Sequence, residues 1–489
     1  MSAFLNYWRA RPFAAFWLLA GALSFARVLV LVFSDADLGP DEAQYWVWSL
    51  DPAFGYYSKP PLIAWTIGAT TALFGQEEWA VRLAAPFFHL GAAAFLFALG
   101  RRLYGEAVGV WAGLGWLVVP GVALSSVLIT TDAPLLFFWS AALYCFFRLV
   151  DLRGSLVWAT LCGAAVGLGL MSKYAMIYFP VGAALAYIVS PGVRVALRWR
   201  DLALAALIAL SILAPNFLWN AANEFSTVTH TAANASWNGS FLHPVKFAEF
   251  LAAQPGVFGP VPFFLFIWGA ATLTKRLEQA GAARMADLAL LAFALPPLLI
   301  VSGQALISRA HANWAAAAFP AALLLATAWA FRARIGWLVR AGVLVHAAAV
   351  AIFLAVFANF AVGDALGAGK ALRGVRGWEP AGAAVAEAAK GYDGVLVDDR
   401  EAMGPLIFYA RGAPPFMSLN SNNRVEHHYE AAMPYDPSGG GRLLAVLTHD
   451  APEALTPKFS AVSRIGVLSI PLGPGETREL YLFEASGAQ

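Results

Sequence analysis

The stretch Gly39-Pro40-Asp41-Glu42-Ala43-Gln44-Tyr45-Trp46 follows an apolar segment, residues 13–33, that is long enough to cross a membrane. It places two adjacent carboxylates, those of Asp41 and Glu42, where the chain leaves the apolar phase. A carboxylate pair in that position can bind a divalent cation or accept a proton from a hydroxyl. It can equally be a solvated turn that starts the next helix. The choice between these two interpretations depends on the rest of the sequence.

The composition is that of an integral membrane protein. Of the 489 residues, 60% are hydrophobic and 13% are charged, whereas about 25% of an average soluble domain is charged. The formal net charge of +2 argues against nucleic acid as the main partner. The two cysteines, Cys145 and Cys162, lie in apolar segments and are too few for a disulfide framework or a zinc site.

The hydropathy pattern predicts about eleven membrane spans, if roughly 20 apolar residues make a full crossing. Their approximate cores are residues 13–33, 83–100, 108–124, 134–150, 156–171, 175–189, 202–219, 257–273, 288–302, 315–331 and 341–361. Basic residues fall on alternate connections, namely Arg101, Arg102, Arg148, Arg153, Arg194, Arg198, Arg200, Lys275, Arg276, Arg284, Arg332, Arg334 and Arg340. The positive-inside rule assigns these connections to the cytoplasm.

The predicted fold is therefore an all-α polytopic membrane protein with a small C-terminal domain. Residues 1–361 form the transmembrane domain, and residues 362–489 lie on the non-cytoplasmic side. In this second domain, helical patterns at 381–390 and 401–409 alternate with strand patterns at 394–397, 443–447 and 480–483. That alternation is typical of a small α/β domain.

The first outer connection carries a second group of polar residues, Tyr56-Tyr57-Ser58-Lys59-Pro60-Pro61-Leu62. The two prolines stiffen the backbone and hold Tyr57 and Lys59 at the membrane surface, near the acidic pair. A fixed lysine beside carboxylates suits a phosphorylated substrate. For Lys59, and for Arg82 at the end of the same connection, the alternative is a side chain that extends to the lipid headgroups.

Two further charges lie at the ends of apolar segments on the same side. Asp132, in Thr130-Thr131-Asp132-Ala133-Pro134, is costly at that depth unless it lines a cavity or has a partner. The alternative is an N-cap for the helix that begins near Pro134. Lys173 stands in a very short turn and is either a phosphate ligand or a membrane anchor.

A last polar group, Ser308-Arg309-Ala310-His311-Ala312-Asn313-Trp314, marks the outer end of a later span. Arg309 can hold a phosphate through two parallel hydrogen bonds, and His311 and Asn313 can hold a sugar hydroxyl or a phosphate oxygen. The alternative is a polar collar at the membrane interface. In the C-terminal domain, the adjacent His427 and His428 are interpreted as surface residues.

The order of these motifs carries a resemblance. Gly-Pro-Asp-Glu-Ala at 39–43, Tyr-Ser-Lys-Pro-Pro-Leu at 57–62, Trp-Ala-Val-Arg-Leu at 79–83 and Thr-Thr-Asp-Ala-Pro at 130–134 occur in the same order in one family. The chain resembles the bacterial branch of the dolichyl-phosphate-mannose protein mannosyltransferase-like family. That branch belongs to the C-type membrane glycosyltransferases and includes lipid A aminoarabinose and galacturonosyl transferases.

The resemblance implies an inverting glycosyltransferase in the bacterial inner membrane, with its active site facing the periplasm. The sugar donor is linked through phosphate to a polyprenyl chain, and the acceptor is lipid A, lipopolysaccharide or another envelope glycan. The family's catalytic acids map onto Asp41, Glu42 and Asp132, and its substrate-binding lysine maps onto Lys59. A divalent cation held by Glu42 and Asp132 is left open.

The expected chemistry gives each group a task. Asp41 deprotonates the acceptor hydroxyl, and Lys59, Lys173 and Arg309 stabilise the phosphate that leaves. Two other functions stay open at this stage. One is a protein O-glycosyltransferase of the same family, and the other is a flippase or transporter for a polyprenyl-linked sugar, which would also have many spans.

Overall fold

The computed structural model describes residues 11–234, 242–272, 282–420, 422, 424–439 and 441–489. The chain forms two compact units. The described part of the first, the membrane unit, is residues 11–29, Lys59–Ile63 and Arg82–Phe353. The second, the sheet unit, is Val30–Ser58, Ala64–Val81 and Leu354–Gln489. The acidic stretch that opens the first polar connection therefore belongs to the same unit as the C-terminal region.

The structure is mostly helical. The α-helices are Pro12–Phe33, Pro40–Leu50, Leu62–Phe74, Glu78–Arg82, Ala84–Tyr104, Glu106–Val118, Pro120–Ser125, Asp132–Asp151, Leu156–Ser172, Tyr178–Val189, Pro191–Ala196, Trp199–Ala222, Ser226–Asn234, Pro244–Phe258, Pro260–Ala271, Ala282–Ile307, Phe319–Arg332, Gly336–Ala358, Phe360–Ala365, Gly369–Leu372, Trp378–Ala388, Arg400–Tyr409 and His428–Ala432. Short 3₁₀ turns are Tyr174–Ile177, Ala312–Ala318, Arg373–Val375, Pro437–Gly439 and Pro452–Ala454.

Seven helices among the described residues are long and apolar enough to cross a membrane, or eight if one bent pair counts as a span. They are Pro12–Phe33, Glu78–Tyr104, Asp132–Asp151, Trp199–Ala222, Ala283–Ile307, Ala312–Arg332 and Gly336–Ala358. Each coincides with a span predicted from the sequence. The protein is a multi-pass membrane protein, and the count of eleven spans stays a prediction.

The other four predicted spans are short or broken, for local reasons. The one predicted at 108–124 is interrupted where Glu106–Val118 ends and Pro120 starts a new helix, since proline fits only the first turn. The one predicted at 257–273 is the second arm of the pair Pro244–Phe258 and Pro260–Ala271, which is bent by 117°. Gly259 makes this bend possible because its φ of 90° lies in the left-handed region. The remaining two predicted spans coincide with apolar helices of 10–17 residues.

One end of the membrane unit is organised around a buried carboxylate. Asp287 accepts hydrogen bonds from Tyr104 Oη at 2.7 Å, Trp329 Nε1 at 2.8 Å and Arg332 Nη2 at 2.5 Å. These contacts bring together the ends of three apolar helices, one of which carries a basic residue assigned to the cytoplasm by the sequence. The basic residues at 275–276 lie outside the described residues.

The sheet unit contains a five-stranded sheet in the order β2-β1-β3-β5-β4. The strands are β1 Gly394–Val397, β2 Phe416–Ser418, β3 Arg442–Leu447, β4 Phe459–Gly473 and β5 Glu476–Ala488. β1 is parallel to β2 and β3, whereas β5 is antiparallel to β3 and β4. β1 is buried along its whole length, as a strand inside a parallel group should be.

The strand patterns predicted at 394–397, 443–447 and 480–483 all fall within strands of this sheet. The sequence missed β2, which has only three residues, and it missed β4. Most residues of β4 are exposed or half-buried because it lies at the sheet edge, so its sequence lacks a continuous apolar run. The predicted domain boundary at residue 361 stays a prediction.

Candidate functional site

The helix Pro40–Leu50, here called the loop helix, separates the two adjacent carboxylates. Pro40 is its first residue, and Glu42 Oε2 accepts a hydrogen bond from the Gly39 backbone N–H at 3.0 Å, which fixes the helix start. Glu42 is 4% exposed, whereas the Asp41 side chain is 64% exposed. The loop helix thus directs Glu42 inward to a structural bond and leaves Asp41 accessible.

Asp41 is held by a residue that the sequence reasoning did not identify. Arg400 Nη1 donates to Asp41 Oδ1 at 3.1 Å and to Gln44 Oε1 at 2.7 Å. We call Asp41, Gln44 and Arg400 the Asp41 clamp. Within the described residues, Asp41 Oδ2 has no hydrogen-bond partner. One oxygen is therefore held by Arg400, and the other is accessible from solvent.

The clamp depends on contacts inside the sheet unit. Arg400 begins the helix Arg400–Tyr409, which follows β1 and which we call the clamp helix. The ring of Phe408, on the clamp helix, meets the ring of Trp46 edge-on at 4.7 Å. Tyr409 Oη accepts a hydrogen bond from the Leu38 N–H at 2.7 Å. Because Arg400 is 359 residues from Asp41 along the chain, no spacing rule could have joined them.

Tyr57 is also in the sheet unit. Its hydroxyl donates to the Val425 carbonyl at 3.0 Å, and burial raises the pKa of Tyr57. Nearby, His428 meets Trp48 edge-on at 5.5 Å. His427 and His428, interpreted from the sequence as surface residues, are both half-buried, and burial lowers the pKa of His428 to about 4.

The membrane unit contains a second acidic centre. Asp132 is 8% exposed and both of its carboxylate oxygens are engaged. Lys173 Nζ lies 2.6 Å from Oδ1, and Asn313 Nδ2 donates to Oδ2 at 2.8 Å. We call these three residues the Asp132 cluster. Asp132 does not cap its helix as the alternative interpretation held, because Thr131 occupies the cap position and Asp132 is the first helical residue.

The cluster brings together three of the residues predicted from the sequence. Its members come from three separate segments of the membrane unit, and the turn that contains Lys173 exists because the helix Leu156–Ser172 ends there. Asn313 belongs to the short 3₁₀ helix Ala312–Ala318. The Asn313 amide holds the Asp132 carboxylate, and this carboxylate in turn holds the Lys173 ammonium, so Lys173 is a positioned cation rather than a membrane anchor.

The remaining predicted residues also lie in the membrane unit, in different surroundings. Arg309 and His311 are exposed, and the Arg309 guanidinium has no partner within the described residues. The His311 ring meets Trp314 at 5.1 Å. Arg82 is only 2% exposed, which argues for a protein-facing role rather than a headgroup anchor. Lys59 is half-buried.

The surroundings of Glu42 and Asp132 bear on whether these carboxylates can bind a divalent cation. Asp132 accepts from an ammonium and an amide, a donor set that suits an ion pair and not a metal. Glu42 Oε2 accepts from the Gly39 N–H and fixes the start of the loop helix. Across the described part of the chain, no group of three or more His, Cys, Asp or Glu side chains is placed to hold a metal ion. These residues therefore do not fit the proposed cation.

Two solved membrane proteins share the fold of this chain. ArnT from Cupriavidus metallidurans, in a structure bound to undecaprenyl phosphate, matches with a TM-score of 0.66 and 19% identity over 96% of this chain and 98% of that one. The archaeal oligosaccharyltransferase AglB from Archaeoglobus fulgidus matches with a TM-score of 0.51 and 12% identity over 81% of this chain and 64% of that one.

The sequence comparison confirms the predicted family resemblance. Residues 58–219 match the model of the dolichyl-phosphate-mannose-protein mannosyltransferase family. The chain is 38% identical over 302 residues to lipid A galacturonosyltransferase RgtD of Rhizobium johnstonii, covering 61% of this chain and 62% of that protein. It is 29% identical over 268 residues to the undecaprenyl phosphate-alpha-4-amino-4-deoxy-L-arabinose arabinosyl transferase of Edwardsiella ictaluri, covering 50% and 45%. The chain thus spans less than two thirds of the length of these relatives.

Proposed function

We propose that this protein is an inverting glycosyltransferase that moves a sugar from a polyprenyl-phosphate donor to lipid A or lipopolysaccharide. The observation that carries the proposal is Asp41, a carboxylate with one oxygen held by Arg400 and the other free in an exposed position. The names of two relatives, a lipid A galacturonosyltransferase and a lipopolysaccharide core galacturonosyltransferase, support the acceptor class. They also favour a uronic acid as the sugar.

The fold and the cationic side chains of the membrane unit support a polyprenyl-phosphate donor. A protein of the same fold binds undecaprenyl phosphate, and the apolar helices of this chain offer a surface for such a lipid. We assign the phosphate to Lys173 and Arg309, with Lys59 and Arg82 as further cations. Lys173 is fixed by Asp132. The exposed Arg309 guanidinium has no partner among the described residues, so its side chain can adapt to the phosphate. Tyr57, His311 and Asn313 stay proposed contacts to the sugar or phosphate.

The proposed reaction is a single displacement. The acceptor oxygen attacks the anomeric carbon and gives its proton to Asp41 Oδ2. The bond from that carbon to the phosphate oxygen breaks, and polyprenyl phosphate leaves with both electrons of the bond. Attack opposite the leaving group inverts the anomeric carbon. Cations at the phosphate stabilise the charge that develops there, which is usually the largest electrostatic contribution.

Glu42 and Asp132 receive supporting roles in this scheme. Glu42 fixes the start of the loop helix and hence the place of Asp41. Asp132 positions Lys173. Neither role needs a metal, and a chelator such as EDTA should leave turnover unchanged.

We further propose that the protein resides in the bacterial inner membrane with the reactive groups in the periplasm. The alternation of basic connections supports this orientation. A reporter fused after Gln489 should be active only as a periplasmic enzyme, and a reporter at residue 334 only as a cytoplasmic one. Activity of the Gln489 fusion in the cytoplasm would contradict the proposed topology.

The test of function is reconstitution. Purified protein in liposomes receives a labelled undecaprenyl-phosphate sugar together with lipid A, and the label is followed by mass spectrometry. Label on lipid A supports the proposal, and Asp41→Asn should prevent it. Label that only crosses the bilayer indicates a flippase, and label on added periplasmic protein indicates a protein O-glycosyltransferase. Either of these results would overturn the proposal.

A further inference from the structure

We infer that Arg400 is a positioning residue for Asp41, so that the C-terminal region of the chain is a working part of the catalytic machinery. This inference rests on the proposed function, because it concerns the carboxylate assigned there as the base. It adds a residue and a region that neither the sequence motifs nor the family match at residues 58–219 include.

The guanidinium of Arg400 contacts two residues of the loop helix. Asp41 and Gln44 are three residues apart on the loop helix, so their side chains leave the same face of it. Arg400 donates to both, at 3.1 Å and 2.7 Å. Gln44 is 3% exposed and cannot move freely. It fixes Arg400, and Arg400 in turn fixes Asp41, which is otherwise exposed and free to change rotamer.

The position of Arg400 in the chain is set by the sheet. It follows β1 directly, at the carboxyl end of a parallel strand, which is where α/β sheets usually place functional residues. Asp399 caps the clamp helix by accepting from Glu401 N–H at 2.6 Å and Ala402 N–H at 3.2 Å. The backbone that carries Arg400 is therefore fixed at its first residue.

A hydrogen bond beside Arg400 joins the carboxyl ends of two strands of the sheet. Asp398 Oδ1 accepts from the Thr448 N–H at 3.0 Å, which ties the end of β1 to the residue that follows β3. Three successive side chains, those of Asp398, Asp399 and Arg400, thus perform three tasks. They join two strands, start a helix and reach the loop helix.

The ion pair between Asp41 and Arg400 is open to water. The Asp41 side chain is 64% exposed and that of Arg400 is 33% exposed. An ion pair so open to water contributes little to stability. Stability alone therefore does not account for the clamp, whereas placement of a base does, since a misplacement of about 1 Å can reduce turnover by about a hundredfold.

The test compares Arg400→Gln with Arg411→Gln in the full-length protein. Arg411 lies just beyond the clamp helix and donates to the Gln76 carbonyl at 2.7 Å, so it joins segments of the same unit without touching Asp41. We expect Arg400→Gln to lower kcat by about 10- to 100-fold, with the donor KM and the melting temperature nearly unchanged. We expect Arg411→Gln to leave kcat within about twofold, like other changes remote from the reacting groups. Arg400→Lys should recover part of kcat, because it keeps the charge but loses the planar fork.

A double variant shows whether Arg400 acts through Asp41. In an Asp41→Asn background, Arg400→Gln should reduce the residual turnover no further, since groups that act as one unit are not additive. A further loss of the same size would show that Arg400 acts independently and would overturn the inference. A wild-type kcat in Arg400→Gln would also overturn the inference. An equal loss of kcat in Arg411→Gln would overturn it as well. If the wild type itself transfers no sugar, the proposed function fails instead, and the two failures are thus separate.

Discussion

Asp41 and Asp132 are both acidic residues of the outer connections, and the sequence assigns both to catalysis, yet their surroundings differ. Asp41 is exposed, and only one of its oxygens is held. Asp132 is buried, with an ammonium on one oxygen and an amide on the other. The first can accept a proton from a substrate, whereas the second is fully occupied with holding a lysine. Environment, more than residue type, therefore separates the two roles.

The largest expected effect is at Asp41. Asp41→Asn keeps the shape of the side chain but cannot accept a proton, so turnover should fall by about 10²- to 10⁴-fold. The melting temperature should stay within about 2 °C of the wild type, because the exposed pair with Arg400 contributes little. Transfer kinetics and a thermal melt are the two measurements.

The control for this change is Asp51→Asn. Asp51 is an exposed aspartate that follows the loop helix in the same unit. The Asp51→Asn variant should retain the turnover and the stability of the wild type. Near-wild-type turnover in Asp41→Asn would remove the difference between the two acidic centres.

Asp132→Asn should affect both activity and stability. Lys173, whose side chain is 20% exposed, would lose its charged partner, at a cost of about 1–3 kcal/mol in the free energy of unfolding. Turnover should fall by about tenfold or more, since the cation assigned to the phosphate is no longer fixed.

A double-mutant cycle with Lys173→Met isolates the pair. The two changes together should destabilise the protein less than their sum, with a coupling of about 0.5–3 kcal/mol. If Asp132→Asn instead loses turnover with no loss of stability, Asp132 itself takes part in the chemistry and the comparison breaks down.

A smaller effect is expected at Lys59. Its size tests whether this lysine contacts the phosphate of the donor. Lys59→Ala should weaken donor use by about tenfold, because a charge-assisted contact contributes roughly 1.5–3 kcal/mol. Acceptor dependence should change little. Steady-state kinetics with donor and acceptor varied separately will distinguish the two. Lys246→Ala, an exposed lysine of the same unit, should leave donor use unchanged, and an equal effect there would return Lys59 to the role of membrane anchor.

The least effect on turnover is expected at Asp37, a buried carboxylate of the sheet unit. It accepts from the Trp378 N–H at 2.6 Å, and burial raises its pKa to about 6. Because the folded state binds this proton more tightly than the unfolded state, the free energy of unfolding should fall as pH rises from about 4 to about 6. Above that interval the contribution is constant. Chemical denaturation at several pH values should show that Asp37→Asn flattens this dependence, and an unchanged slope would contradict it.

The sequence was sufficient for whatever depends on local pattern. The long apolar helices follow from hydropathy, and β1 follows from a short apolar run bounded by Gly394. The motifs were enough to select Asp132, Lys173 and Asn313, although not to show that they form one cluster.

What the sequence could not supply depends on long-range packing. Arg400 belongs to no recognisable sequence motif. It reaches Asp41 only because the clamp helix packs on the loop helix within one unit. In the same way, Gly259 and Pro260 are visible in the sequence, but a bend of 117° is a property of the folded pair. The burial of His428 depends likewise on Trp48, a residue far away in the chain.

The short apolar helices of the membrane unit have a consequence for the lipid around them. Leu156–Ser172 has 17 residues, which at 1.5 Å per residue is about 26 Å, less than the hydrocarbon thickness of about 30 Å. Leu156 and Val157, at its start, are 64% and 65% exposed, so this end of the helix offers an apolar surface to acyl chains. We expect the bilayer to compress beside it, at a cost of a fraction of a kcal/mol per ångström. The protein would then work in a membrane that it has itself made thinner, and acyl-chain length becomes part of its working environment.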